Sequence, residues 1–164
     1  MLDGTPFTDV LLVLDHRDGI FDLEADGNGD LKLTGGFETA ILASLFTDRR
    51  AAADEVADPM KRRGWIGNLL AKIPGDNFGS GFWLYEQSRG TQAVCNGMKD
   101  EALKALQWLV DDDLVKGIAA TVSYIPAKRR MILDIAMTDA LGRVTRRSYE
   151  IWRRTGTGEI ARNV

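Results

Sequence analysis

Arginine and tryptophan crowd one short stretch of this 164-residue chain. Thr47-Asp48-Arg49-Arg50-Ala51 is followed by Asp54-Glu55 and then by Arg62-Arg63-Gly64-Trp65. Arginine offers a planar fork of donors and tryptophan a large rigid surface, a pairing enriched where proteins bind one another. An arginine at the end of a helix is explained by the dipole, which favours a cation there. Four arginines and a tryptophan in a non-repetitive segment exceed that need. The chemistry they point to is recognition of another protein. A bend folded inward, with each guanidinium paired inside the same molecule, would leave nothing for a partner to grip.

Groups suited to catalysis are scarce or poorly spaced. The single histidine, His16, sits among Asp15, Arg17 and Asp18 and reads as a solvated turn residue. The single cysteine, Cys95, excludes an internal disulfide and a thiolate cluster, and reads as a small buried apolar group. A glycosidase needs one carboxyl of raised pKa opposite a second across a cleft. Glu38, Asp54, Glu55, Glu86 and Glu101 are available, but no spacing singles out a pair, so they read as helix-surface and cap charges. Gly79-Ser80-Gly81 lacks the lysine of a phosphate loop. Asp22-x-Glu24-x-Asp26-Gly27-Asn28-x-Asp30 spaces its oxygens like a calcium loop, with Gly27 at the turn position. Its twelfth position is Leu33 instead of a bidentate glutamate, and no helix precedes it, so a solvated hairpin turn is preferred to calcium. No cofactor, no metal and no catalytic residue is expected.

Charge is unevenly distributed. Residues 1–30 carry eight acids against Arg17, whereas residues 128–154 carry eight bases against Asp134, Asp139 and Glu150. The basic strands, with Tyr149 and Trp152, could suit nucleic acid. The whole chain is acidic, with a net charge of −3, whereas a nucleic-acid domain is usually strongly basic, so a protein interface or solvated sheet face is preferred. No apolar run approaches the roughly 20 residues of a membrane helix, and the first residues lack the layout of a secretion signal. The expectation is a soluble protein made in the cytoplasm, without nucleic-acid or membrane partners.

The elements that would position the bend follow from periodicity. Phe7 to Leu14, Ile20 to Leu23 and Leu31 to Leu33 read as short strands joined by turn-forming segments, among them Asp26-Gly27-Asn28-Gly29-Asp30. A helix is predicted from about Phe37 to Thr47, where Phe37, Ile41 and Leu45 recur every four residues. Residues 48–81 are irregular, with short helices possible in the Ala51 to Ala53 and Ile66 to Ile73 stretches. A second helix is predicted from about Gly97 to Val110, with Asn96 as N-cap. Three strands follow, Gly117 to Ile125, Arg130 to Thr138 and Arg143 to Trp152, joined by tight turns into an antiparallel meander. Trp83 and Trp108 are expected in the core. The result is one α+β domain over 1–164, with two main helices packed on an antiparallel sheet. It comprises acidic N-terminal strands (1–34), a helix and Arg/Trp loop (35–81), a helix and C-terminal sheet (82–154) and a polar tail (155–164).

Asp30-Leu31-x-Leu33-Thr34-x-Gly36-Phe37-x-Thr39-Ala40, Ser44-Leu45-Phe46-Thr47-Asp48-Arg49-Arg50-Ala51, Asp54-Glu55 and Arg63-Gly64-Trp65 together resemble the Mu-like phage baseplate wedge family. Gly79-Ser80-x-x-Trp83-Leu84 and Ala102-Leu103-x-x-Leu106-x-Trp108-Leu109-Val110-x-Asp112 extend the likeness, which covers roughly residues 28–140. Ile66-Gly67-Asn68 departs from it where a second aromatic is expected. The resemblance implies a structural subunit of a contractile-tail baseplate, in an active phage, a prophage or an injection device. Its implied partners are a larger wedge protein, the hub or spike, and further copies of itself. It implies that Thr47, Asp48, Arg49, Arg50, Asp54, Glu55, Arg63, Gly64 and Trp65, with neighbouring Arg62, shape or line the partner surface. Arg49→Ala or Trp65→Ala is then expected to leave the fold intact and block assembly. The alternative from a different class is a peptidoglycan hydrolase acting in tail penetration, which zymography on cell-wall material would expose.

Overall fold

The computed structural model describes residues 8–15, 20–35, 37–70 and 77–153. The turn around His16, residues 71–73 of the Ile66 to Ile73 stretch, and the polar tail lie outside them. The fold is α+β, and the chain divides into two compact units, Met1–Ala43 and Ser44–Val164.

In the first unit, the expected strand from Phe7 to Leu14 is two strands, β1 (Thr8–Val10) and β2 (Leu12–Asp15). They pair antiparallel with different partners, β1 with β4 (Leu33–Gly35) and β2 with β3 (Ile20–Leu23). Leu11 carries the ladder between them, donating to Lys32 O at 2.7 Å. The acidic segment forms the expected turn. The Asp26 N–H donates to Asp30 O, and its carboxylate accepts the Asn28 and Asp30 N–H groups at 2.8 and 3.0 Å. Gly29, at φ 86°, supplies the left-handed step that the reversal requires. Thr39, in the first turn of α1 (Glu38–Phe46), donates to Val10 O at 2.6 Å and accepts from Leu12 N, tying helix to strand.

The second unit is built around α2 (Gln92–Leu106) and the meander of β5 (Gly117–Ile125), β6 (Arg130–Thr138) and β7 (Val144–Arg153). The helix starts five residues before the expected Gly97. Thr91, whose hydroxyl accepts the Val94 N–H at 3.3 Å, is its N-cap, and Asn96 lies inside, accepting from Gln92 Nε2. Gly97 was expected at the boundary with Asn96 as its N-cap, and glycine does weaken a helix interior. Its actual reason is packing, since a Cβ there would collide with the Tyr85 ring. A short helix, α3 (Trp108–Asp111), follows α2.

The meander lies where periodicity puts it, in the order β5-β6-β7 and antiparallel throughout, with Val122, Leu133 and Tyr149 in one register row. Met131, Leu133, Ile135 and Met137 alternate onto the inner face and are all buried. Cys95, Met98, Ala102, Ala105 and Leu106 make the buried stripe of α2, which packs on β5. The larger of these side chains, such as Met98, Leu106 and Leu133, each contribute on the order of 1.5–3 kcal/mol by leaving water. Burial pushes the Cys95 thiol up, which suits the inert group its position suggested.

Candidate docking site around the arginine-rich bend

Residues 47–51 run as an extended segment between two others. On one side Ser80 N donates to Thr47 O at 2.8 Å and Arg49 N to Ser80 O at 3.0 Å, forming a parallel bridge between Asp48 and Ser80. On the other, Trp65 N donates to Asp48 O and Ala51 N to Arg62 O, each at 3.0 Å. This close stitching dictates glycine at two positions. Gly79 (φ 107°) lies against Thr47 O and Gly64 (φ 117°) against Arg50 Cβ, so any side chain there would clash.

Each guanidinium of the bend has partners inside the chain. Arg49 Nε donates to Glu101 at 2.8 Å, while its two terminal nitrogens hold both oxygens of Glu55 at 2.8 and 2.6 Å. Arg50 reaches Arg63 O and Pro59 O, and Arg62 reaches Val56 O at 2.7 Å and Ala57 O at 3.0 Å. Arg63 grips Glu86 with two bonds of 2.8 and 2.7 Å, touches Asp48 at 3.3 Å, and lies 4.9 Å from the Trp83 ring centroid. Trp83 is core, as expected, and donates its indole N–H to Arg49 O. Trp108 is only half-buried and donates to Ser44 Oγ. Asp54 sits exposed in the turn at 53–55.

Glu101 is the residue that the sequence reading misplaced. It was grouped with surface charges, yet it is 5% exposed and accepts from Arg49, Lys104 and the Gly81 N–H. The signal was present: Met98, Glu101, Ala102 and Ala105 share one helical stripe, and a carboxylate on an apolar stripe needs a buried partner. Burial pushes the Glu101 carboxyl up, but the hydrogen bonds from Arg49 and Lys104 outweigh it and hold the group below its ordinary value. The Arg49 bonds pull Glu55 down to about 2, and in return Glu55 and Glu101 raise Arg49 further.

The arginines are therefore satisfied internally, but the bend is not folded inward. Trp65 is 49% exposed, and Met60, Ile66, Leu69 and Leu70 are 92%, 68%, 69% and 78% exposed. Trp65 meets Phe78 edge to face at 5.4 Å, and Gly67 leaves room for its ring. Phe78 in turn lines an open cleft of about 500 Å³ with Lys104, Trp108, Asp111 and Asp112. The sequence reading placed Ile66, Leu69 and Leu70 in a short helical stretch, without assigning them or Met60 to the surface. What presents them is a pair of short 3-10 turns, Pro59–Lys61 and Ile66–Leu69. The arginines, Arg49 and Arg62 half-buried and Arg50 and Arg63 exposed, shape this surface, and the apolar side chains stand out from it. Arg49 belongs to the fold, so the expectation that Arg49→Ala leaves the fold intact is withdrawn.

Elsewhere, Arg130 pairs with Glu150 and Arg143 with Asp139, at 2.8 and 2.6 Å. Among the described residues, no group of three metal-ligating side chains converges, and no helix is long and apolar enough to cross a membrane.

Fold and bend define a small α+β protein in which ion pairs, one of them on the buried Glu101, hold an irregular segment at the surface with apolar side chains exposed. The chain belongs to the family described as phage protein GP46, whose match spans residues 37–144. The Mu-like prophage FluMu protein gp46 of Haemophilus influenzae is 29% identical over 123 residues, covering 75% of this chain and 83% of that protein. Membership of a Mu-like phage family agrees with the resemblance carried by the Thr47-Asp48-Arg49-Arg50 motif. The match contains the whole bend, α1, α2, β5 and β6.

Proposed function

We propose that this phage protein is a structural subunit of a contractile-tail baseplate, assembled in the bacterial cytoplasm. In this reading it docks on a larger wedge protein, with the hub or spike as further neighbours. The observation that carries the proposal is the exposed apolar rim of Met60, Trp65, Ile66, Leu69 and Leu70 on a segment braced from within. Apolar side chains exposed to this degree favour a partner that covers them. A braced segment also loses little conformational entropy on binding, which favours tight association. The family and its Mu-like relative supply the phage setting.

The test is complementation of a tail lacking this subunit with a Trp65→Ala/Leu70→Ser variant, after circular dichroism shows native folding. Tails should fail to assemble, and the purified variant should lose capture of the large wedge protein. Normal particles carrying both changes would defeat the proposal. The peptidoglycan-hydrolase alternative calls for a carboxyl of raised pKa. Glu55 and Glu101 are instead held low by Arg49, so no observation favours it.

A further inference from the structure

The open cleft beside the bend combines two aromatic rings with carboxylates that the fold does not use. Phe78 and Trp108, both half-buried, line it together with Lys104, Gln107, Asp111 and Asp112. Lys104 is already committed. It lies 3.0 Å from Glu101, and with Arg49 it balances the charges of Glu55 and Glu101, so that cluster is neutral as a whole. Asp111 accepts from an uncharged donor, Gln107 Nε2, at 2.9 Å. Among the described residues, no cation pairs with Asp111 or Asp112. The cleft therefore carries negative charge against aromatic walls. Local stability does not call for these acids. Asp111 closes α3 and Asp112 is its C-cap, while Gln107, itself helical, joins α3 to the end of α2. An anion there meets the negative end of the helix dipole, where a cation is favoured. By contrast, Asp48, Glu55, Glu86 and Glu101 around the bend each meet an arginine.

We propose that this cleft receives an arginine or lysine side chain of the protein that covers the rim of the bend. A cation is attracted to the face of an aromatic ring and forms charge-assisted hydrogen bonds with carboxylates. Phe78 and Trp108 offer the first, Asp111 and Asp112 the second, within one cleft. Phe78 also joins the cleft to the rim, since it meets Trp65 edge to face at 5.4 Å. A docked segment thus sets apolar side chains on Trp65 and its neighbours and a basic one beyond Phe78. Such a charged contact fixes orientation and speeds encounter more than it adds affinity. The preference for a cation stands on the cleft's own residues. That the cation comes from the partner on the rim rests on the proposed docking through the bend.

Two measurements test the two parts separately. In the first, the Trp108 indole N–H resonance of the full chain is followed by NMR as N-acetyl-arginine amide is added over the millimolar range. N-acetyl-citrulline amide, its uncharged isostere, is the control. Arginine should shift the resonance saturably and citrulline should not, and Asp111→Asn/Asp112→Asn should abolish the shift. That variant should fold at least as stably as wild type, because it removes anions from a helix C-terminus. An arginine probe that acts no differently from citrulline, or acts equally on the variant, overturns the proposal. In the second, the large wedge protein is captured by wild type, by Asp111→Asn/Asp112→Asn and by Trp65→Ala/Leu70→Ser. The aspartate variant should bind about tenfold more weakly at low salt and depend less on salt. If it binds like wild type while the rim variant fails, the cleft's role falls and docking through the rim stands. If the rim variant binds normally, docking through the rim falls, and with it the assignment of the cation to that partner.

Discussion

The bend at 47–65 and the meander at 117–153 are both ordered, and they achieve order by opposite means. The meander relies on a backbone ladder and an alternating pattern that sends Met131, Leu133, Ile135 and Met137 inward. The apolar side chains of that inner face are used up in making the fold. The bend has little ladder of its own, and its backbone carbonyls are met by arginine side chains at Arg63 O, Pro59 O, Val56 O and Ala57 O. Because polar groups hold it, its apolar side chains remain outward. Polar bracing is thus a physical route to exposed apolar side chains that do not collapse on themselves.

The contrast can be broken most strongly in the sheet. Leu133→Ala should cost about 2–5 kcal/mol in chemical denaturation, through lost transfer energy and a residual cavity. A loss below about 1 kcal/mol would mean that the inner face does not carry the unit. Arg49→Ala should cost somewhat less, about 1–3 kcal/mol, by leaving the buried Glu101 with only Lys104 and the Gly81 N–H. If this variant matches wild type, the bracing described for the bend is incidental.

A smaller and more diagnostic effect concerns pH. Glu55 is depressed from an ordinary 4.5 to about 2, and Glu101 is also depressed. Their contribution is therefore complete above the unfolded value and is lost as pH falls from about 4.5 toward 2. Melting temperatures should drop across that interval in wild type and drop less in Arg49→Ala, and parallel curves would contradict the linkage. The smallest expected effect is on the rim. Leu69→Ser with Leu70→Ser should alter stability by no more than about 0.5 kcal/mol, since both side chains are exposed, while still impairing assembly. A cooperative loss of stability would show that the rim is packed in solution and is not available for docking.

Much of the architecture was legible from residue order. Period-two alternation located all three strands of the meander, and the spacing of Ile41 and Leu45 located α1, because each pattern follows from the geometry of its own element. The start of α2 was not legible. Gly97 weighs against a helix interior on local propensity, and only the Tyr85 ring lying against it explains its presence.

The site was half legible. Composition marked the bend as unusual and its motif marked the phage family, both properties of the chain in one dimension. What the arginines do there depended on groups distant in sequence. Arg49 finds Glu101 fifty-two positions on, and Arg63 finds Glu86 twenty-three positions on. The sequence alone determined that a concentrated set of donors had to be satisfied, since guanidinium is charged at any physiological pH. Only the tertiary structure decided that they are satisfied within the molecule, because it alone brings α2 and the Phe82–Tyr85 turn to the bend. With those carboxylates in reach, the arginines are already paired, and exposed apolar side chains stand beside them for other proteins to cover.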